Sequence, residues 1–404
     1  MDMKSERVIQ NIVRSCRPTL TSKRLPVKHL KAIDAIADCR TPEYGVSVYE
    51  CEDDQSLQYI NHSCKHRSCA LCASKRRNEW INKQQQRLLD CPHFHCVFTL
   101  PSEFHVLWRF NQKWFTSTFF KVVKSVLFDL MKDPKLQGVT PGVLMAMHTW
   151  GRQLNLHPHI HCIVTAGGLD QRDQWKDSGK FMLPARVVRK LYKGRFSAEI
   201  SAALENGELQ LPPDHTLGYA KNLLRRTSRK VWCIKIEQQY AHGKGVLLYL
   251  SRYLRGGPVS PKQIVRCDHE KIGFRYKDHR DQRIKVLNVK PSEFVRRLML
   301  HIPETGQHMV RHYGLYASAA RRRRNYCRER IGGLMESVGI TDAVSESTAL
   351  ICQGCGAEMR LRASFHGRLR KGNSYIYANT SRHVQQNDEP DKTQIKKIPP
   401  PLRL

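Results

Sequence analysis

Three cysteines within nine residues constrain the fold of this chain more than any other feature of its sequence. Cys64, Cys69 and Cys72 follow the pattern Cys-x4-Cys-x2-Cys, and Cys51 lies upstream of them. The chain begins Met-Asp-Met-Lys-Ser-Glu-Arg, without the apolar core of a secretion signal. We therefore expect a reducing cytoplasm, in which clustered cysteines bind metal and do not form disulfides. Thiolate ligands at these spacings favour a closed tetrahedral zinc site.

The predicted Zn²⁺ ligands are Cys51, Cys69 and Cys72, together with one of three further candidates. The fourth place lies between Asp54, His62 and Cys64, and we choose Cys64. The sequence thus predicts a small zinc-binding module near the N-terminus, followed by a basic helix over residues 74–89.

The net charge indicates the class of partner. Lysine and arginine number 68 against 36 aspartates and glutamates, which gives a formal charge of +32. This excess implies a polyanion such as nucleic acid. No stretch approaches the ~18 consecutive apolar residues of a membrane span, so we expect no membrane partner.

Two histidines alternate with an isoleucine in a segment that has the pattern of a β-strand. Successive side chains of a strand point to opposite faces, so His159 and His161 project together while Ile160 enters the core. A hairpin from a preceding strand, residues 143–150, would bring His148 beside them as a third ligand. Gln153 and His95 compete for that third place. In a basic protein, a divalent cation with open coordination positions suits phosphate chemistry.

A pair of tyrosines lies four residues apart in the segment Tyr249-Leu250-Ser251-Arg252-Tyr253. On a helix, this spacing places both phenols on one face. The pair fits the core of a folded domain, but near a metal site a tyrosine can also attack a phosphodiester and form a phosphotyrosyl ester. Arg252 and the metal could supply the positive potential that helps a phenol with a pKa of ~10 to lose its proton.

In the order and spacing of these motifs, the chain resembles the rolling-circle insertion-sequence transposases of the HUH, two-tyrosine class. The resemblance covers most of the chain. It rests on the following segments: Ser63 to Cys72, His95 to Pro101, His148 to Gly151, His157 to Cys162, Tyr249 to Tyr253, Phe274 to Asp278, Glu293 to Arg297 and Arg311 to Leu315. One departure is Asp54, which stands where the family tends to have a second cysteine three residues after Cys51.

This resemblance implies an α+β fold with a central antiparallel sheet and flanking helices, preceded by the zinc-binding module. We expect three regions: a zinc- and DNA-binding module over residues 1–90, a catalytic domain over 91–330, and a C-terminal region over 331–404. The last region contains the pair Cys352-x2-Cys355, which has the shape of a zinc knuckle without its other half, and a polar tail that we expect to be disordered.

The resemblance also implies the chemistry. Tyr249 and Tyr253 would attack single-stranded or hairpin DNA at the two element ends in turn and also act on target DNA, each leaving a 5′-phosphotyrosine. Mg²⁺ or Mn²⁺ on His148, His159 and His161 would polarise the scissile phosphate. Host replication proteins are conceivable partners, and the nucleoid is the expected place of action. The predicted DNA contacts are Arg76, Arg77, Arg252, Lys277 and Arg311.

Two other functions agree with the same residues. A replication initiator or conjugative relaxase would use the same chemistry to nick a plasmid origin. A zinc-dependent nucleic-acid-binding protein without catalysis would use the tyrosines only for packing. A nicking assay on single-stranded DNA separates the second alternative from the other two.

Overall fold

A computed structural model describes residues 6–22, 25–179, 182–237, 239–240, 257–278, 280–332, 349–366 and 377–378. It divides into two compact units. The large unit comprises residues 1–37 and 64–341, and the small unit comprises residues 38–63 and 342–404. The boundaries of these two units differ from those of the three regions expected from the sequence. Those three regions stay a prediction.

A five-stranded antiparallel sheet forms the centre of the large unit. Its strands lie in the spatial order β12, β4, β5, β3, β8. Their bounds are β3 His93–Thr99, β4 Gly142–Trp150, β5 Leu156–Thr165, β8 Ile234–Ile236 and β12 Val310–Gly314. The predicted α+β fold with a central antiparallel sheet is thereby confirmed.

The two faces of this sheet differ because side chains alternate along each strand. One face contributes Phe94, Met145 and Ile160 to a large apolar core that also contains aromatic residues of two long helices, α5 and α6. The opposite face contributes Leu144 and Ile163 to a second apolar cluster. The histidines of β4 and β5 lie on this second face, outside the large core.

The helices described in the large unit are α1 Val8–Thr21, α2 Val27–Ala37, α3 Ala70–Gln85, α4 His105–Phe110, α5 Gln112–Lys132, α6 Ala185–Glu205, α7 Leu217–Ser228, α8 Pro291–Met299 and α9 Arg321–Gly332. Its smaller sheets pair β6 Gly167–Leu169 with β7 Trp175–Asp177, and β10 Ile272–Lys277 with β9 Ile264–Cys267 and β11 Ile284–Val289. None of the described helices is both long enough and apolar enough to cross a membrane.

Asn111 separates the helices α4 and α5. The backbone of Asn111 leaves the helical region, with φ −130° and ψ 38°, between α4 and α5. Its buried side chain donates from Nδ2 to the carbonyls of Leu107 and Gln210 and accepts at Oδ1 from the Gln210 amide. The break is stabilised by a contact across 99 residues of sequence, which local periodicity does not reveal.

The small unit contains a four-stranded sheet in the order β14, β13, β1, β2. Its strands are β1 Val46–Glu50, β2 Leu57–Asn61, β13 Arg360–His366 and β14 Tyr377–Ala378. β1 pairs antiparallel with β2 on one side and with β13 on the other. Segments about 300 residues apart in sequence therefore form one sheet.

Candidate metal centres

Three histidines of the central sheet form a compact group. His148 of β4 lies directly opposite His159 of β5, and strand alternation places His161 on the same face as His159. One ring nitrogen from each of the three lies within 4.8 Å of the others. The structure thus brings together His148, His159 and His161, the three residues chosen from the sequence for a catalytic cation. Gln153, a competitor for the third place, lies in the turn between β4 and β5, where its backbone carbonyl accepts from Arg297 Nη1 at 3.0 Å.

Burial favours the neutral form of these imidazoles. It lowers the pKa of His159 to about 4 and holds the pKa values of His148 and His161 well below the ordinary range, and the neighbouring histidines act in the same direction. A neutral imidazole has one nitrogen lone pair available for a cation. All three rings are therefore neutral near pH 7 and suited to metal binding.

The hydrogen bonds of His159 select which of its nitrogens can bind a cation. Its Nδ1 lies 2.7 Å from the backbone carbonyl oxygen of His157. A carbonyl only accepts, so Nδ1 of His159 is the donor and its proton is fixed there. The lone pair of the neutral ring is consequently on Nε2.

A hydrogen-bonded chain of three residues, which we call the Glu237 relay, fixes the tautomer of His161. Oε2 of Glu237 lies 2.6 Å from Nδ1 of His95, and Nε2 of His95 lies 2.9 Å from Nδ1 of His161. The ionised carboxylate accepts from Nδ1 of His95, so Nε2 of that ring accepts from Nδ1 of His161. The lone pair of His161 is then on Nε2, available to a cation.

The first residue of the relay is held ionised. Burial by itself would raise the pKa of Glu237, but hydrogen bonds from Lys235 and His95 lower it to about 2. Nζ of Lys235 lies 2.6 Å from Oε1, and the hydroxyl of Tyr240 donates to Oε2 at 3.1 Å. His95, which the sequence offered as a third ligand, thus contacts His161 and is not a member of the histidine group. No sequence motif indicated Glu237, which follows a short edge strand.

The donor set fits a divalent cation that keeps open coordination positions. Three neutral imidazoles supply three nitrogen ligands on one side, which is the number that a metal site for catalysis needs. Mg²⁺ and Mn²⁺ both prefer oxygen ligands, but Mn²⁺, as a first-row transition ion, accepts imidazole more readily. Of the two cations expected from the sequence, the site therefore fits Mn²⁺ better.

Three cysteines of the large unit form a second group. The Sγ atoms of Cys64, Cys69 and Cys72 lie within 4.8 Å of one another. Those of Cys64 and Cys72 are 3.8 Å apart, which matches the ~3.8 Å that separates two sulfurs on a tetrahedral zinc with 2.3 Å bonds. Cys69 is the N-cap of α3, where the helix dipole favours thiolate. The amide of His66 also donates to Cys64 Sγ at 3.4 Å.

The Zn²⁺ ligand set expected from the sequence stays a prediction. Its fourth member, Cys51, belongs to the small unit and lies there with Asp54, Cys352 and Cys355 in a third group. The other candidate, His62, hydrogen-bonds through Nε2 to the hydroxyl of Ser47 at 2.8 Å.

Three of the residues predicted to bind DNA have described side chains, and they lie on different elements, α3, β10 and β12. Arg77 of α3 is half-buried, and Lys277 at the end of β10 is exposed. Arg311 lies over the ring of Phe120, 4.4 Å from its centroid, on the face of the sheet that packs against helices. The structure does not bring Arg311 to the histidine group. The side chain of Arg76 lies outside the described part of the chain.

The predicted nucleophiles, Tyr249 and Tyr253, and the neighbouring Arg252 also lie outside the described residues. Their roles stay predictions.

Comparison with known families and proteins gives a consistent result. Residues 142–324 match the Y2_Tnp family, described as "Putative transposase", and residues 9–100 match Zn_Tnp_IS91, described as "Transposase zinc-binding domain". The first match contains the histidine strands and the second contains Cys64, Cys69 and Cys72.

Two curated proteins are similar over most of the chain. The "Putative transposase y4qJ" of Sinorhizobium fredii (strain NBRC 101917 / NGR234) is 30% identical over 324 residues, 78% of this chain and 81% of its own length. The "Transposase for insertion sequence element IS801" of Pseudomonas savastanoi pv. phaseolicola is 30% identical over 296 residues, 72% of this chain and 70% of its own length. No solved structure shows significant similarity to the chain.

Proposed function

Because the chain belongs to the IS91 family of insertion-sequence transposases, we propose that it cleaves and rejoins single-stranded DNA at the ends of its element through a 5′-phosphotyrosine intermediate. Membership itself makes the chain a transposase, a strand-transfer enzyme whose substrate is DNA. It also favours transposition over plasmid replication or conjugation, since both relatives are named as transposases.

The observation that carries the proposal is the histidine group on neighbouring strands. His148, His159 and His161 lie together, and the hydrogen bonds of His159 and His161 place each lone pair on Nε2. Mg²⁺ or Mn²⁺ bound there would polarise a scissile phosphate and offset the charge that develops on its oxygens. The Glu237 relay would hold His161 in the ligand tautomer throughout the reaction.

Tyr249 and Tyr253 are the proposed nucleophiles. The phenolic oxygen attacks phosphorus, a P–O bond to the tyrosine forms, and the bond to the 3′ oxygen breaks. The 3′ oxygen takes a proton to become a hydroxyl, and the phenol loses one. The number of phosphoester bonds is unchanged, so a 3′-hydroxyl can reverse the attack and rejoin DNA without ATP. Arg252 is proposed to stabilise the phenolate through its charge.

The basic charge of the chain supports single-stranded DNA as the substrate. With 68 cationic against 36 anionic side chains, the chain can neutralise phosphates along an extended strand. Arg76, Arg77, Lys277 and Arg311 remain proposed contacts, of which the exposed Lys277 is the best placed to reach a phosphate. Zn²⁺ held by Cys64, Cys69 and Cys72 with a fourth ligand is proposed to be structural, since a closed tetrahedral shell leaves no open position.

The experiment that tests this proposal is the trapping of a covalent adduct. The full chain is incubated with a single-stranded oligonucleotide from an element end and Mn²⁺, and the denatured products are separated by mass. We expect a protein–DNA adduct that disappears in the Tyr249→Phe/Tyr253→Phe double variant. Tyr276→Phe, a half-buried tyrosine of β10, is the matched control and should retain the adduct. An adduct that persists in the double variant would place the nucleophile elsewhere.

A further inference from the structure

Two turns of the small unit present side chains with metal-binding chemistry. The first turn joins β1 to β2 and contains Cys51 and Asp54. The Cys51 amide donates to the Ser56 carbonyl at 3.0 Å, and the Ser56 amide donates to Oδ1 of Asp54 at 2.9 Å. These bonds close the turn and fix the carboxylate, whose other oxygen, Oδ2, remains directed to the second turn.

The second turn immediately precedes β13 and contains Cys352 and Cys355. The amide of Cys352 donates to the carbonyl of Ala357 at 2.8 Å, and the amide of Met359 donates to the carbonyl of Leu350 at 2.7 Å. A further bond from the Gly356 amide to the Cys352 carbonyl, at 3.0 Å, tightens the turn. The Cys-x2-Cys pair is thus held in a defined hairpin.

Pairing of β1 with β13 brings the two turns together, because Cys51 follows β1 and the second turn precedes β13. Sγ of Cys51 lies 3.3 Å from Sγ of Cys355, and Oδ2 of Asp54 lies 3.1 Å from Sγ of Cys352. The four ligand atoms lie within 4.8 Å of one another. The sulfur separation exceeds the ~2.05 Å of a disulfide and is closer to the ~3.8 Å of two thiolates on a tetrahedral zinc.

The surroundings of Cys352 stabilise a thiolate. Its Sγ accepts from the Gly354 amide at 3.4 Å and lies 3.4 Å from the Ser56 hydroxyl. The amide two residues after Cys64 makes the same bond, at the same 3.4 Å, in the first cysteine group. A Cβ at Gly354 would lie 2.7 Å from Oδ2 of Asp54, so no side chain fits between the two turns.

The four residues also differ in exposure in a way that suits a site at the surface of the unit. Cys51 and Cys352 are buried and pack with Met359 in a small apolar cluster, whereas Asp54 and Cys355 are exposed. The buried thiols anchor a metal, and the exposed pair gives it a route of entry.

We propose that Cys51, Asp54, Cys352 and Cys355 bind a second structural Zn²⁺ through three thiolates and one carboxylate. The Cys352-x2-Cys355 pair has no partner motif nearby in the sequence. Its partners are Asp54 and Cys51, which lie 298 and 304 residues upstream. The ion joins the two turns and so cross-links the first and last segments of the small unit. A cross-link that closes so long a loop stabilises mainly by restricting the unfolded chain.

The proposal is tested by the zinc content of the full chain, purified under reducing conditions and measured by mass spectrometry of the metal. Relative to the unmodified chain, we expect one zinc ion fewer in Cys352→Ser, in Cys355→Ser and in Cys69→Ser, and two fewer in the Cys69→Ser/Cys352→Ser double variant. Cys233→Ser removes an exposed cysteine outside both groups and should retain the full zinc content. A zinc content in Cys352→Ser equal to that of the unmodified chain, or a Cys51–Cys355 disulfide in the reduced protein, would overturn the proposal.

Variants at Asp54 keep the test decisive if a cysteine variant does not fold. Asp54→Cys should retain the full zinc content and release one zinc ion more slowly to a chelator than the unmodified chain, because a thiolate replaces the carboxylate. Asp54→Ala should bind that zinc more weakly, by at least the ~10-fold that loss of an outer-shell partner costs. Release rates that are equal in all three proteins would contradict the assignment of Asp54 as a ligand.

Discussion

Nε2 of His95 lies 2.9 Å from Nδ1 of His161, and this bond transmits the charge of Glu237 to the histidine group. Neither His95 nor Glu237 belongs to the group itself. They influence which ring nitrogen of His161 carries the proton. With the proton on Nδ1, the lone pair of Nε2 is available to a cation.

The first prediction concerns this relay. Glu237→Gln removes the charge that holds the His95 proton on Nδ1, so His161 should lose its preference for the ligand tautomer. We expect Mn²⁺ affinity of the full chain to fall by about 10- to 100-fold, as is typical for such partners of metal ligands, while affinity for single-stranded DNA is unchanged. Isothermal titration with Mn²⁺ measures the effect.

The matched control for the relay is Glu199→Gln. Glu199 is paired with the exposed Lys121 on a helix surface, at 2.8 Å, so its substitution removes the same charge away from the histidines. Equal Mn²⁺ affinity in Glu237→Gln and Glu199→Gln would show that the relay does not influence the cation.

The second prediction concerns pH and stability. Burial lowers the pKa of His93 to about 4, against ~6.5 in an unfolded chain. Between these values the unfolded state binds more protons than the folded state, so the free energy of unfolding falls as pH decreases. The contribution of His93 to the free energy of unfolding is complete above pH ~6.5. It is lost progressively down to about pH 4, at up to ~1.4 kcal/mol per pH unit for one group.

Denaturant unfolding between pH 7 and pH 4.5 measures this dependence. The slope of unfolding free energy against pH should be smaller in His93→Gln than in the unmodified chain. The variant also loses the bond between His93 Nε2 and the Tyr316 hydroxyl, which changes the free energy of unfolding at pH 7. The slope therefore decides the test, and the value at pH 7 does not. His301 is also buried with a pKa lowered to about 4 and keeps its contribution in this variant. An unchanged slope in His93→Gln would contradict the predicted shift.

The third prediction separates the two cysteine groups by combining variants. Cys64→Ser/Cys69→Ser should lose one zinc, because both residues belong to one group. Cys51→Ser/Cys69→Ser should lose two, because the residues belong to different groups. Metal analysis gives the counts. If the second double variant loses only one zinc, then Cys51 shares a site with Cys69, as the sequence alone suggested.

The fourth prediction concerns DNA binding and salt. Each phosphate that the chain neutralises on a single strand should contribute about −0.7 to the slope of log K against log salt. The exposed Lys277 is a proposed contact, so Lys277→Ala should make the slope shallower by about 0.7. Fluorescence anisotropy with a labelled oligonucleotide measures it. Lys121→Ala, which removes an exposed, paired lysine on a helix, is the control and should leave the slope unchanged.

The sequence predicted the parts of this molecule that depend on local pattern. Strand alternation placed His159 and His161 on one face, and a short hairpin placed His148 beside them. The contacts that it missed are those between distant segments. Asn111 separates two helices and hydrogen-bonds to Gln210. Glu237 is hydrogen-bonded to His95, which is hydrogen-bonded to His161. Cys352 contacts Asp54, which lies 298 residues earlier in the sequence. No local spacing encodes such pairs, because tertiary packing alone brings them together.

The pairing of β1 with β13 has a consequence for synthesis on the ribosome. β1 and β2 emerge early, but the strand that covers the other edge of β1 is encoded more than 290 residues later, at Arg360–His366. An isolated two-stranded hairpin is only marginally stable in water. Until translation reaches β13, the small unit therefore lacks a strand and two of its candidate metal ligands. A shortened gene copy that stops before Cys352 would yield a large unit with an unfinished small one.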